Sequence, residues 1–183
     1  MTTNPYLWAI GKDLPELPAT ELLKGRYKLL SPHLWLDTQI DTPPEPPSKL
    51  ELVKPYLLLH SYQLHLPQLY GVCQLEDTPD ILLLENIPCD RQGQLYPSLA
   101  SVWSQANPVR QLYWLWQMIE LWTPMAEVGV TASWLDPENI RVEGWRIRLV
   151  QLHTRNPAGL GDLAQVWQDL VATASPTLPP AFP

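Results

Sequence analysis

Proline interrupts this chain so often that regular secondary structure can form only in short segments. The 183 residues include 21 prolines and only 8 glycines. Proline fixes φ and removes a backbone donor, so its clusters mark where helices and strands stop. The densest cluster lies in residues 41–48, around the sequence TPPEPP. We predict a stiff, extended surface loop there rather than a ligand for a signalling domain. Residues 176–183 (PTLPPAFP) predict a proline-rich tail.

The composition between these breaks is that of a folded domain. Hydrophobic residues make up 45% of the chain and include nine tryptophans, which disordered chains lack. The net charge of -7 disfavours nucleic acid as a partner, because phosphates require a clustered basic face. No apolar run approaches the ~20 residues of a membrane span, and the N-terminus lacks a secretory pattern. We therefore predict a soluble, cytoplasmic protein with one domain over residues 1–175 and no membrane partner.

The two cysteines, Cys73 and Cys89, form neither a CxxC pair nor a Cys/His zinc spacing. We predict free thiols in a reducing compartment. No other residue pattern indicates a metal site, and we expect no cofactor.

The periodicity changes from strands to helices along the chain. Short strands are predicted at residues 27–30 and 33–37, and a strand pair around a polar turn is predicted at 70–75 and 81–85. The segment 49–62 is ambiguous because Pro55 interrupts a helical spacing. Helices are predicted at 95–105, 109–128 and 160–172, with Asn107 as N-cap and Pro124 as a kink or end. A hairpin over 140–143 and 146–150 separates the last two. This order predicts an α+β fold.

The long predicted helix carries an apolar stripe. Its members recur three and four residues apart, which places them on one face, and we expect that face to lie in the core: Leu112, Leu115, Trp116, Ile119 and Trp122. Trp114 lies off the stripe, so it becomes a candidate for contact with a protein partner.

The segment after this helix resembles a protein-kinase motif. Residues 135–140 read LDPENI, which is similar to the end of the kinase catalytic loop, H-R-D-L-K-P-E-N-I. The strand, the Glu143-Gly144 turn and the sequence RIRLV that follow resemble the hairpin leading to the kinase D-F-G motif. Weaker resemblances lie at residues 25–30 (opening strand), 82–88 (strand before the hinge), 107–130 (helix before the catalytic loop) and 160–166 (buried helix).

This resemblance implies an abbreviated two-lobed kinase-like fold. The lobes would be a small β-rich N-lobe at residues 1–88 and a truncated helical C-lobe at 89–175 with an inserted β-hairpin.

The resemblance also implies that the chain is no enzyme. Aligned on Asn139, the motif His, Arg and catalytic Asp fall on Ala132, Ser133 and Trp134, and the Asp of D-F-G falls on Gln151. An indole accepts no proton, and an amide cannot replace a metal-binding carboxylate. No glycine-rich loop or V-A-I-K-like lysine is present, since Lys49 and Lys54 lie beside the proline loop. A degenerate kinase, or pseudokinase, with a regulatory or interaction role is the implied function.

The chain is also similar to the kinase-like segment that precedes the phosphatase domain of some cyanobacterial serine/threonine phosphatases. Residues 64–72 (LHLPQLYGV) and 4–8 (NPYLW) carry this resemblance. It implies a link to phosphatase signalling and a protein partner, with a phosphatase as one candidate.

Other interpretations of the same residues stay open. Asp136 or Glu138, with Asn139, could serve an atypical nucleotide-binding enzyme, or Asn139 could cap its loop through backbone groups. Trp134 could be an exposed recognition anchor, or it could fill the space where nucleotide phosphates would lie. Asp162 is expected either to accept hydrogen bonds from the 131–136 loop or to cap a helix. Finally, the chain could be an unrelated α+β scaffold, in which case residues 134–139 would not lie between a long helix and a hairpin.

Overall fold

A computed structural model describes residues 5–18, 20–76, 79–154 and 158–173 and has a mixed α+β architecture. Contacts divide the chain into two compact units. The first unit comprises Met1–Tyr96 with Arg148–Leu152, and the second comprises Pro97–Ile147 with His153–Pro183. The lobe boundaries at residues 88 and 175 remain a prediction, and the predicted tail at 176–183 lies outside the described residues.

The first unit contains a five-stranded antiparallel sheet. Its strands are β1 (Tyr6–Ile10), β2 (Tyr27–Leu29), β3 (Leu34–Asp37), β4 (Gln68–Cys73) and β5 (Ile81–Glu85), in the order β2-β3-β1-β5-β4. Leu7 and Ala9 of β1 alternate with less buried neighbours and are at most 1% exposed, as expected for a strand with one core face. Helix α1 (Leu50–Leu58) precedes β4. The core of the sheet therefore forms around β1, the strand nearest the N-terminus.

The proline loop at 41–48 lies along edge strand β4. The backbone N–H of Val72 donates to the carbonyl of Glu45 at 3.0 Å, and the Glu45 carboxylate accepts from Gln74 N (2.9 Å) and Lys24 Nζ (2.5 Å). A Cβ added at Gly71 would lie 2.5 Å from Pro44. The loop thus satisfies a backbone donor of the edge strand and covers that edge. Covering an edge strand prevents it from pairing with other chains.

A buried ion pair fixes the start of this loop. Arg26 is 9% exposed and Asp37 is 4% exposed. The Arg26 guanidinium donates to both Asp37 oxygens at 3.0 and 2.8 Å, and also to the carbonyls of Thr42 (2.6 Å) and Pro43 (3.1 Å). The Tyr70 hydroxyl donates to Asp37 as well. Guanidinium geometry matches a carboxylate bidentately, so this pair joins β2, β3, β4 and the loop.

The second unit contains helices and most of a hairpin, whose last two residues belong to the first unit. It contains α2 (Leu99–Val102), α3 (Pro108–Glu127) and α4 (Leu160–Thr173). Strands β6 (Ile140–Glu143) and β7 (Arg146–Leu149) form a two-stranded sheet, and the turn residue Gly144 has a φ of +64°. Asn107 caps α3 by accepting from Arg110 N at 2.9 Å. The predicted N-cap, hairpin and last helix are therefore confirmed.

The predicted buried face of α3 is wrong. Members of the predicted stripe are exposed, with Leu112 at 68%, Trp116 at 48% and Ile119 at 44%. The buried residues are Trp114, Gln117, Met118, Leu121 and Met125. Both faces are apolar apart from Gln117, so periodicity alone could not choose between them. Gln117 is buried because its amide donates to Trp145 O (2.9 Å) and accepts from Ile147 N (3.1 Å), which ties α3 to the hairpin.

Two further differences separate the prediction from the structure. Strand β1 was not predicted, although it is the central strand of the sheet. The helix predicted at 95–105 is reduced to α2 and a 3₁₀ turn at Trp103–Gln105. Helix α3 continues past Pro124 to Glu127, close to its predicted end, so this proline does not end the helix, and a kink there stays a prediction. The ambiguous segment around Pro55 is helical.

Candidate functional site

The catalytic-loop-like segment begins directly after α3 with a 3₁₀ turn at Thr131–Trp134. Ser133 is fully buried. Its hydroxyl donates to the carbonyl of Val130 at 2.7 Å and accepts from the backbone N–H of His153 at 2.8 Å. Both bonds are internal to the second unit, so Ser133 holds the turn in place and is not available as a nucleophile.

Asn139 stabilises the same loop. It is 5% exposed, and its Nδ2 donates to the carbonyl of Ser133 at 3.0 Å. Its backbone N–H donates to the carbonyl of Asp136, also at 3.0 Å. Asn139 therefore bridges the two ends of a seven-residue turn through backbone groups, which confirms the loop-capping interpretation.

The two acids of the segment are exposed and engaged in local bonds. Asp136 Oδ1 accepts from the backbone N–H of Glu138 at 2.9 Å, which closes a local turn. Glu138 accepts from the Ser98 hydroxyl at 2.9 Å and lies 3.8 Å from the Arg141 guanidinium. These contacts connect the loop to α2 and β6. Neither carboxylate is held in an environment that would favour metal binding.

Trp134 lies in the core of the second unit with 0% exposure. The side chain is therefore no exposed recognition anchor, and the same correction applies to Trp114, which is 1% exposed. Trp114 packs 6.2 Å from Trp103, centroid to centroid. Ala132 beside Trp134 is half-buried. Neither the methyl group nor the indole offers a base at this turn.

Gln151 belongs to the first unit. Its Oε1 accepts from Trp8 Nε1 at 3.2 Å, and it is half-buried. The next residue, Leu152, donates its backbone N–H to the Tyr56 hydroxyl at 3.0 Å, and Tyr56 is almost fully buried. Gln151 thus connects its segment to β1 through a neutral hydrogen bond, with no negative charge to hold a cation.

Asp162 lies in the first turn of α4. Its Oδ2 accepts from the backbone N–H of Gly159 at 2.9 Å. A carboxylate there satisfies a free donor and interacts favourably with the helix dipole. This bond confirms the capping interpretation.

The described residues offer little for metal, nucleotide or thiol chemistry. Within the four described ranges, no three His, Cys, Asp or Glu side chains are grouped so as to hold a metal ion. A groove of about 530 Å³ between α3 and α4 is lined by apolar residues and Gln168, and it presents no cation for a phosphate. Cys73 and Cys89 are buried and form no disulfide among the described residues, and burial raises the pKa of the Cys73 thiol to about 11. No helix in the described parts combines the length and apolar character needed to cross a membrane.

Sequence reasoning missed one surface feature of the second unit. Tyr113, Trp116 and Trp145 are 43–49% exposed, and the Tyr113 ring contacts both tryptophans. Tyr113 and Trp116 lie on α3, and Trp145 lies in the hairpin turn. The sequence signal for this surface was the second apolar face of α3. It was not recognised because Trp116 was assigned to the core.

Comparisons with protein-family models, curated proteins and solved structures found no match for the chain. The kinase resemblance therefore depends on the residues and element order described above.

Proposed function

We propose that this chain is a non-catalytic, kinase-like module that acts by binding a protein partner. The observation that carries the proposal is the complete burial of Trp134. The resemblance aligns this residue with the kinase base, which must reach a substrate hydroxyl. A buried indole can neither accept that proton nor admit the substrate.

The surrounding residues support the same proposal. Phosphoryl transfer requires a base, metal-binding carboxylates and a phosphate-binding lysine. Asn139, the one matching metal ligand, uses its amide to bind the Ser133 carbonyl. Gln151 is a neutral amide bonded to Trp8. Lys49 and Lys54 are both exposed, at the N-cap and within α1.

The order of elements favours the kinase-like interpretation over an unrelated scaffold. The scaffold alternative predicts that residues 134–139 do not lie between a long helix and a hairpin. They follow the 20-residue helix α3 and precede β6 and β7. A sheet with one helix, α1, precedes this part of the chain, as a two-lobed kinase-like fold would require. We propose that fold for the chain.

The partner class is proposed from the resemblance alone. Similarity to a segment that precedes a phosphatase domain favours a serine/threonine phosphatase as the partner. The cytoplasmic location is proposed from the composition and from the cysteine pattern, which favours a reducing compartment.

A thermal-shift titration with ATP and either Mg²⁺ or Mn²⁺ tests the loss of nucleotide binding. A ligand at 100 times its Kd would stabilise the chain by about 2.7 kcal/mol, which corresponds to roughly 5–10 °C for a chain of this size. We expect no metal-dependent shift in Tm. The atypical-enzyme alternative instead predicts a shift that is lost in Asn139→Ala.

Matched variants make the titration decisive. Asn139→Ala removes a buried hydrogen bond and therefore lowers Tm even without nucleotide. For each variant, we compare the Tm measured with nucleotide against the Tm measured without it. Asp136→Asn and Glu138→Gln alter exposed side chains and preserve the fold. A nucleotide shift that disappears in any of these variants would contradict the proposed function.

A further inference from the structure

The aromatic patch, defined as Tyr113, Trp116 and Trp145, is an organised surface. Tyr113 stacks on Trp116 with ring centroids 5.4 Å apart, and it meets Trp145 edge-on at 6.1 Å. These rings hold one another in position while each keeps over 40% of its surface exposed. Contiguous exposed apolar surface marks interaction sites, and Trp and Tyr dominate binding hot spots because they bury much area at little entropic cost.

A cation lies beside this patch without a carboxylate partner. The guanidinium carbon of Arg110 lies 4.8 Å from the centre of the Trp145 ring, a distance at which cation–π attraction holds the side chain in place. Within the described residues, Arg110 forms no ion pair. The guanidinium of Arg146, which follows Trp145 in the sequence, in contrast lies 3.7 Å from the carboxylate of Glu143. Arg110 is therefore a positioned cation that no described carboxylate neutralises.

Arg110 also lines a small pocket of about 280 Å³ at the start of α3. Trp114 and Gly144 are among the other lining residues. Among the described residues, the buried Arg110 Nε has no acceptor. The volume falls below the ~300–1,000 Å³ of drug-sized ligand sites, so the pocket suits a single side chain. A carboxylate would supply the acceptor that Arg110 Nε lacks.

We infer that this surface binds an acidic peptide segment of a protein partner. An Asp or Glu carboxylate of the segment binds Arg110, and a neighbouring apolar side chain packs on the aromatic patch. Charge complementarity selects this occupant, because a guanidinium recognises a carboxylate through charge-assisted hydrogen bonds. The inference rests on the proposed interaction function and specifies the chemistry of the partner.

A peptide-display selection tests the inference directly. The probe is a random 16-residue library presented to the intact chain, and the selected pool is compared with the naive library. We expect several-fold enrichment of Asp or Glu within three positions of a large apolar residue. The same peptides, synthesised and titrated, should bind Arg110→Gln at least tenfold more weakly and Trp116→Ala at least several-fold more weakly.

The matched control is Leu58→Ser on α1, an apolar residue 57% exposed in the first unit, which should leave peptide affinity unchanged. Arg110→Lys keeps the charge and should bind with intermediate affinity. Thermal melts of each variant establish that it is folded. Peptide binding that is insensitive to Arg110→Gln, or a selected pool without acidic enrichment, overturns the inference.

Occupation by a second copy of the chain is the competing outcome. Sedimentation at increasing concentration would then show a dimer that Arg110→Gln dissociates, and the acidic-partner inference would be wrong. Failure of the proposed function can be distinguished from failure of this inference. An independent assay would detect phosphate transfer whether or not the peptide binds.

Discussion

Asp37 is the buried last residue of strand β3, and its carboxylate accepts from the guanidinium of Arg26 and from the hydroxyl of Tyr70. We expect Asp37→Ala to lower the free energy of unfolding by about 3–5 kcal/mol, because it leaves a buried arginine unpaired. Urea denaturation measures the change. The exposed pair Lys24–Glu45 supplies the control, and Lys24→Ala should cost at most about 1 kcal/mol.

The same carboxylate predicts a pH dependence. Burial acts to raise the pKa of Asp37, but hydrogen bonds from Arg26 and Tyr70 outweigh it and lower that pKa. Because the folded pKa lies below the unfolded value of about 3.9, the stabilisation is complete above that value and is lost as pH falls through the folded pKa. Unfolding free energies measured from pH 6 to pH 2.5 should fall less steeply in Asp37→Asn than in the wild type. Equal slopes would show that Asp37 is not the titrating group.

The role of a single residue could be predicted when its hydrogen-bond partner lies close to it in the sequence. The loop-capping bond of Asn139 and the helix cap of Asp162 were predicted because both partners lie within six residues. The burial of Trp134 and Trp114 depends on elements packed around them, so sequence spacing could not give it.

Gln117 shows how one polar residue orients a helix. Its amide binds the hairpin at Trp145 O and Ile147 N, so Gln117→Ala leaves a buried acceptor and a buried donor unmet. We expect a loss of about 1–3 kcal/mol in the free energy of unfolding. Gln168→Ala, at an exposed position of α4, should change it by less than about 0.5 kcal/mol. Similar losses in both variants would contradict the role given to Gln117.

The proline loop depends on a glycine in the strand that it covers. A Cβ at position 71 would lie 2.5 and 2.8 Å from the Pro44 ring. Gly71→Ala should therefore displace the loop and cost about 1–3 kcal/mol by denaturation. Gly161 in α4 has open space around it, so Gly161→Ala should be neutral or stabilise the chain by up to about 1 kcal/mol. A neutral Gly71→Ala would mean that the loop does not need this close approach.

At the scale of the whole molecule, the sequence predicted contiguous motifs better than distant pairings. The β4–β5 pair and the β6–β7 hairpin join neighbouring segments, and both were predicted. Strand β1 inserts between β3 and β5. Its partner β3 lies more than 20 residues later in the chain, and β5 lies about 70 residues later. No local pattern specifies such a pairing. The buried face of α3 was unpredictable for the same reason.

We propose that the chain has the element order of a kinase without its chemistry. The most direct test incubates the intact chain with γ-labelled ATP, Mg²⁺ or Mn²⁺, and generic protein substrates, and it measures label on the substrates and on the chain itself. We predict no transfer above the level of a protein-free reaction. Metal-dependent labelling that is abolished by Asp136→Asn or Asn139→Ala would contradict the account.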